Sequence, residues 1–371
     1  MHTDIRSVEL FPVLLKLREP FRIAYQVEEE AWNVLVKVVT ADGQVGWGNS
    51  CPDPEVTGET PASVVRTLRK LVPRVLGEDA VRIHRLSYIV EEAVQGNLTA
   101  KAGLNLALYD ILGKEADISA VRLLGGFKDR IATSLTIGIL PLGETVAKSR
   151  EAVSRGFRIL KLKCGLDADE DVRRAIAVRE AVGRDIQLRL DANQGYDVAT
   201  TLRVVDELEN VHGVDIELVE QPTPAGALGQ LKEVTGLSSV PIMADESVQS
   251  ILDTFVVTAG QMADLINIKL MKTGGITGAI RVNAVAMAGG IPAMVGCMSE
   301  SVVSVAAGAH FACSQRNVQY ADLDSHFDFD RDVAAGGVRF EDGYLYPLDR
   351  PGFGLDVDEE RVREQSAREV P

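Results

Sequence analysis

From Ile131 onwards the chain repeats one rhythm: a short apolar run, often closed by a charged residue, then a stretch of helical periodicity, renewed about every 25 residues. The runs are Ile131–Ile139, Arg158–Lys163, Ile186–Asp191, Ile216–Glu220, Pro241–Asp245, Leu265–Lys269, Ile291–Gly296 and Val318–Asp322. Such strands alternating with helices over about 200 residues predict a closed parallel (β/α) barrel of the α/β class. An open doubly wound sheet is the alternative. It usually brings a Gly-rich phosphate loop after its first strand, and Gly274-Gly275 lacks that frame. In the second run, Arg158 to Lys163, basic and apolar residues alternate. Alone it reads as a solvated edge strand on which lysine discourages aggregation. Its place in the repeat points Lys161 and Lys163 to a barrel mouth instead.

The residues before the repeat read as a separate α+β unit. Strand patterns cover 5–17 and 31–39, and Asp42-Gly43 marks a hairpin turn back through Val45–Gly48. Thr60-Pro61 opens a helix running to Leu76, and further helices are expected near 80–95 and 99–117. Phe21–Glu30 reads as a polar loop with Glu28, Glu29 and Glu30 at its tip, which alone is a solvated turn.

Charge and composition exclude several classes. With a net charge of -15, general binding to nucleic acid or an anionic membrane is not expected. No apolar run reaches the length of a membrane span, and Met1–Arg6 has no signal-peptide pattern. The 4 cysteines are widely spaced without a C-x-x-C pair, which fits reduced thiols in a cytoplasmic protein. Oligomeric state stays open, and a homo-oligomer is compatible with the sequence.

The strand ends carry the chemistry. Lys163, Asp191, Glu220, Asp245, Lys269, Cys297 and Asp322 close the second to eighth strands in turn. Asp191, Glu220 and Asp245 fall on neighbouring strands and would repel one another without a cation between them. Oxygen-only donors point to Mg²⁺ or a similar hard ion. Lys161 and Lys163 lie on one side of that point and Lys269 across the barrel, an arrangement suited to moving a proton on either face of a carbon beside a carboxylate. Asp322 and Asp324, two apart at a strand end, make a receptor for a primary ammonium. The competing reading of that pair is a polar loop after the last strand.

Lys161-Leu162-Lys163, Asp191-Ala192-Asn193, Glu220-Gln221-Pro222, Asp245-Glu246-Ser247 and Lys269-Leu270-Met271-Lys272 resemble the enolase superfamily, muconate-lactonising-enzyme subgroup, over nearly the whole chain. The resemblance implies an enolase-type modified TIM barrel over 126–325, a capping domain over 1–125 and a C-terminal segment, 326–371, returning to the cap. Val56–Thr60, Gly296–Ser301 and Asp322-Leu323-Asp324 are similar to the dipeptide epimerases of that subgroup. What this implies is a Mg²⁺-dependent isomerase inverting the C-terminal α-carbon of a dipeptide through an enediolate. Lys163 and Lys269 would be the two acid/base groups, Lys161 would help neutralise the enediolate, and Asp191, Glu220 and Asp245 would hold the metal. Asp322 and Asp324 would hold the substrate ammonium, and Thr136, Lys161, Cys297, Met298 and Ser299 would complete the substrate contacts. One departure concerns specificity. Epimerases of Ala-Glu carry an arginine where this chain has Gln26, and Glu28, Glu29, Glu30 and Asp53 make the nearby loops acidic. A cationic or apolar side chain is therefore expected rather than an acidic one. The runner-up activities are a cycloisomerase, an o-succinylbenzoate synthase or an N-acylamino-acid racemase, whose substrates lack a free ammonium. A non-catalytic, metal-binding regulatory barrel is the reading from another class, and lysines intact on both faces count against it.

Overall fold

Eight parallel strands hydrogen-bond in chain order: Leu135–Ile137, Ile159–Lys163, Gln187–Asp191, Ile216–Glu220, Ile242–Ala244, Leu265–Lys269, Ala293–Gly296 and Val318–Asp322. The two edges meet at a parallel bridge between Thr133 and Ala321, so the sheet is a nearly closed barrel. The computed structural model describes residues 3–367 and Val370. Strands in such a sheet are covered on both faces, which is why their sequences are apolar runs broken only near the mouth. Inside, Leu218, Met243, Leu265 and Met294 form a layer with Tyr320 packed against it, so the lumen is filled below the charged residues. Among the described residues, no helix is long and apolar enough to cross a membrane.

The run Ile131–Ile139 is not one strand. Ile131–Ala132 pairs with Tyr344–Pro347 near the C-terminus, and only Leu135–Ile137 enters the barrel. The interruption has a use. Ser134 Oγ turns to donate to Asp322 Oδ1 at 2.6 Å, and Thr133 Oγ1 accepts Leu323 N–H at 2.9 Å.

The N-terminal unit is an antiparallel sheet of Ile5–Arg22, Val27–Thr40 and Val45–Ser50, backed by helices Pro61–Val75, Ile83–Ala93 and Leu98–Glu115. The last helix is buried on nearly all sides and rests on the third strand at a glycine contact. A Cβ on Gly48 would lie 1.9 Å from Gly103 O, so no larger residue fits without separating helix from sheet. The expected loop Phe21–Glu30 shrinks to Ile23–Gln26, because Phe21 and Arg22 still pair with Glu28 and Val27 beyond an irregular register. The helix Glu359–Gln365 lies by the first strand, where Ser366 bridges Val13 and Glu359 pairs with Lys37 at 2.6 Å.

A buried histidine ties the barrel to its neighbours. His310, on helix Val302–Ser314, accepts from Val121 N–H at Nδ1 (3.0 Å) and faces Phe353 O from Nε2 (3.2 Å), so the neutral Nε2–H tautomer satisfies both. Burial pushes its pKa down to about 4. The folded value lies below the unfolded one, so its stabilisation is complete above about pH 6.5 and drains away as pH falls towards 4, about 3 kcal/mol in all. Urea melts of the wild type and His310→Gln at pH 7.5 and 5 should show the stability difference shrinking at the lower pH. A pH-independent difference would contradict this.

Candidate active site

Parallel strands bring all eight carboxyl ends to one mouth, and their register aligns the charged ends. Lys163 pairs with Asp191, Asp191 with Glu220, Lys269 with Gly296, and Gly296 with Asp322. Lys161 and Lys163 share the lumen face because they are two apart. Lys161 Nζ lies 2.9 Å from Asp191 Oδ2, 2.9 Å from Glu220 Oε2 and 2.7 Å from Asp322 Oδ2. Lys163 Nζ donates to Asp191 Oδ2 at 2.7 Å and to Asn193 Oδ1 at 2.8 Å. Lys269 stands four strands away, hence across an eight-stranded barrel, and donates to Asp245 Oδ2 at 2.7 Å. Lys161, Lys163, Lys269, Thr136, Cys297, Met298, Ser299, Asp322 and Asp324 all line one cavity.

Burial sets the electrostatics. It pushes the Glu220 carboxyl up to about 7, and the Asp191 charge adds to the shift. Burial also opposes ionisation of Asp245, but Lys269 and Lys272 outweigh it and hold that group below the usual carboxylate range. For Lys161, burial is overcome by Asp191, Asp322 and Glu220, and for Lys269 by Asp245 and Glu220, so both are held well above ordinary lysine values.

Asp191, Glu220 and Asp245 do not already form a closed cage. Among the described residues no three such side chains surround a point, because lysine ammonium groups stand between them. The donor set still fits a hard divalent cation. All donors are carboxylate oxygens, and buried Glu220 Oε2 lacks a hydrogen bond, Lys161 being close to it but off the bonding direction. Asn267 Nδ2 holds the other oxygen of Glu220 at 2.7 Å. That reach requires Gly296, where a Cβ would stand 2.7 Å from Asn267 Oδ1.

Asp322 and Asp324 converge, though not by strand alternation. The strand ends at Asp322, and Asp324 begins a short 3₁₀ turn, Ser325–Phe327. Thr136 gathers the pair, donating its N–H to Asp324 Oδ2 at 2.5 Å and its hydroxyl to Asp322 Oδ1 at 3.2 Å. Burial, and then the Asp322 charge, raise the Asp324 carboxyl to about 7.

The cap supplies the remaining wall. Gln26, Glu28 and Asp53 line the cavity; Glu29 and Glu30 do not, and are exposed. Glu29 falls on the other face of its strand, and Glu30 lies further along it, opposite Lys16. Glu28 accepts from Gln26 Nε2 at 2.9 Å and from Ser299 Oγ at 2.5 Å. Burial raises the carboxyls of both Glu28 and Asp53. Tyr25, Asn193 and Asp328 also line the cavity and carried no assignment from sequence. Nor did Lys272, Asn267 and Arg189. Arg189 and Asn267 precede charged strand ends by two residues, so period-two counting back from the mouth would have found them. A larger cavity of about 260 Å³, between the capping helices and helix Ile276–Ala288, contains none of the strand-end charges.

A barrel with lysines on opposite sides of one mouth and carboxylates between them fits the family that the sequence resembles. The chain belongs to it: residues 5–125 match the mandelate racemase / muconate lactonizing enzyme N-terminal domain, and 144–361 match the enolase C-terminal domain-like family. Its relatives narrow the class. An L-Lys-D/L-Arg epimerase of Methylococcus capsulatus is 39% identical over 341 residues, 91% of this chain and 95% of that protein. An L-Ala-D/L-Glu epimerase of Clostridium acetobutylicum is 36% identical over 353 residues, 95% of this chain and 98% of that one. A dipeptide epimerase of Enterococcus faecalis, solved with Mg and L-Leu-L-Tyr, superposes with a TM-score of 0.92 at 35% identity, covering 95% and 99% of the two chains. The protein is a dipeptide-epimerase-like enzyme of the muconate-lactonising subgroup.

Proposed function

We propose that the protein is a Mg²⁺-dependent dipeptide epimerase that inverts the α-carbon of the C-terminal residue and favours cationic or apolar over acidic side chains there. The observation that carries this reading is Lys163 and Lys269 at the carboxyl ends of strands on opposite sides of the barrel, lining one cavity with Asp322 and Asp324. A dipeptide ammonium held at Asp322 and Asp324 leaves its carboxylate among Lys161 and the three strand-end carboxylates. Mg²⁺ held by Asp191, Glu220 and Asp245 would supply positive charge to the substrate carboxylate as the α-proton leaves. One lysine then takes that proton and the other returns one on the opposite face, which inverts the centre. Each lysine is the base for one stereoisomer and the acid for the other.

Relatives acting on Lys-Arg and on Ala-Glu are similarly identical to this chain, so identity does not choose between them. Glu28 and Asp53 do. Burial raises both carboxyls more than Lys163 and Lys269 lower them, and the neighbour bonded to Glu28 is neutral Gln26, so positive charge from the ligand would be favoured there. Loss of the α-proton signal in D₂O, followed by NMR for Ala-Lys, Ala-Leu and Ala-Glu, tests the reading. Exchange is expected with the first two, faster than with Ala-Glu, and should stop on exhaustive chelation. No exchange with any dipeptide would sink the assignment, and a preference for Ala-Glu would sink its specificity clause alone.

The Asp324 carboxyl supplies a pH signature. It must be ionised to pair with the ammonium and titrates at about 7 in the free site. KM should therefore fall as pH rises from about 6 to 7.5, before the substrate's own ammonium begins to deprotonate. Asp324→Asn should raise KM and flatten that slope. A slope retained in the variant would place the titration elsewhere.

A further inference from the structure

We infer that Asp328 selects a cationic side chain on the N-terminal residue of the dipeptide. The inference rests on the epimerase reading above and adds the second half of the substrate. A second cavity of about 130 Å³ adjoins the catalytic one, and Phe21, Thr136 and Asp328 line both. Thr136 is the residue that gathers Asp322 and Asp324. The N-terminal side chain leaves the same carbon that bears the ammonium, so a dipeptide bound there starts that side chain at this doorway. The other walls are taken: the strand-end carboxylates and lysines receive the carboxylate end, and Glu28 and Asp53 face the C-terminal side chain.

The second cavity carries charges of both signs, Arg18, Glu19, Lys148, Glu151, Arg155 and Asp328. What decides is which of them are committed and which face the ligand. Lys148 pairs with Glu19, Arg18 Nε donates to Phe329 O at 2.9 Å, and Arg155 lies over the Phe157 and Phe327 rings. Asp328 alone among the six also lines the catalytic cavity. Its backbone is fixed: its N–H donates to Ser325 O and closes the turn, and its C=O accepts from Arg18 N–H, which ties the turn to the cap. Its carboxylate accepts no hydrogen bond from any described residue. Burial raises that carboxyl to about 6 although Arg155, Lys148 and Arg18 pull the other way. A fixed, partly desolvated carboxylate at the doorway gains most from an incoming ammonium or guanidinium.

The test holds the C-terminal residue at leucine and varies the first. For the wild type, kcat/KM for Lys-Leu should exceed that for Leu-Leu by about tenfold or more, with Glu-Leu poorest. The Lys-Leu advantage should shrink as salt rises, a measurement that needs no variant. Asp328→Asn should bring the Lys-Leu to Leu-Leu ratio near one. A wild type that prefers Glu-Leu, or an Asp328→Asn enzyme that keeps the lysine preference, overturns the inference and leaves the epimerase reading standing. Failure of all these dipeptides to epimerise overturns both.

Discussion

Lys163→Ala and Lys269→Ala are each expected to abolish epimerisation, and one of them is expected to keep α-proton exchange for a single stereoisomer. Each lysine serves one face of the reacting carbon, so inversion needs both while exchange needs one. A positioned acid or base contributes about 10²–10⁴-fold to rate, so loss of either should put epimerisation near background. The two ends of the cavity are not equivalent. Lys163 shares Asp191 with Lys161 and also touches Asn193, whereas Lys269 shares Asp245 with Lys272. The variants should therefore differ in whether exchange survives. NMR exchange in D₂O and chiral chromatography on the same samples separate the two readouts. Wild-type epimerisation by both variants would refute the two-base arrangement. Loss of exchange with every isomer in both would mean that the lysines act as one unit rather than one per face.

The barrel and its mouth were legible because strand-end position and chemistry coincide there. A charged residue closing an apolar run has one place to go in a closed parallel sheet, and Asp191, Glu220 and Lys269 went there. Legibility fails where a side chain reaches the site by another route. Lys272 lies past the strand end in the helical turn Leu270–Thr273, so counting strand ends passes over it. Asp328 follows a 3₁₀ turn, and no periodicity announces its direction. Ser134 falls between two short strands in a run that reads as one, and its hydroxyl donates to Asp322 while its N–H still reaches Ala321 O. Glu29 and Glu30 failed differently. A run of three glutamates has one composition but two strand faces, and only Glu28 combines the right face with the right distance from the barrel.

Lys272→Met is expected to destabilise the metal-free protein by about 3 kcal/mol or more and to make added Mg²⁺ more stabilising than it is in the wild type. Lys272 is wholly buried, and its three N–H donors are all used: on Asp245 Oδ1 at 2.5 Å, Asp245 O at 2.6 Å and Asn267 O at 3.1 Å. Burial lowers its pKa, against the pull of Asp245, so the ammonium is held there at a cost its partners offset. Methionine is similar in length and shape, so packing changes little. What is lost is charge and three hydrogen bonds; Asp245 O keeps the Val248 N–H at 3.0 Å, while Asp245 Oδ1 loses its ammonium donor in a buried place. Lys269 still holds Asp245 Oδ2, which keeps the penalty from the full cost of an unpaired buried charge. The half-compensated Asp245 then gains more from a divalent cation than the wild-type group, which two ammonium groups already share. Urea denaturation with and without saturating Mg²⁺ gives both quantities. Unchanged stability in the metal-free variant would show that Asp245 does not depend on Lys272. A smaller Mg²⁺ effect than in the wild type would mean that Lys272 orients the carboxylate rather than neutralising it.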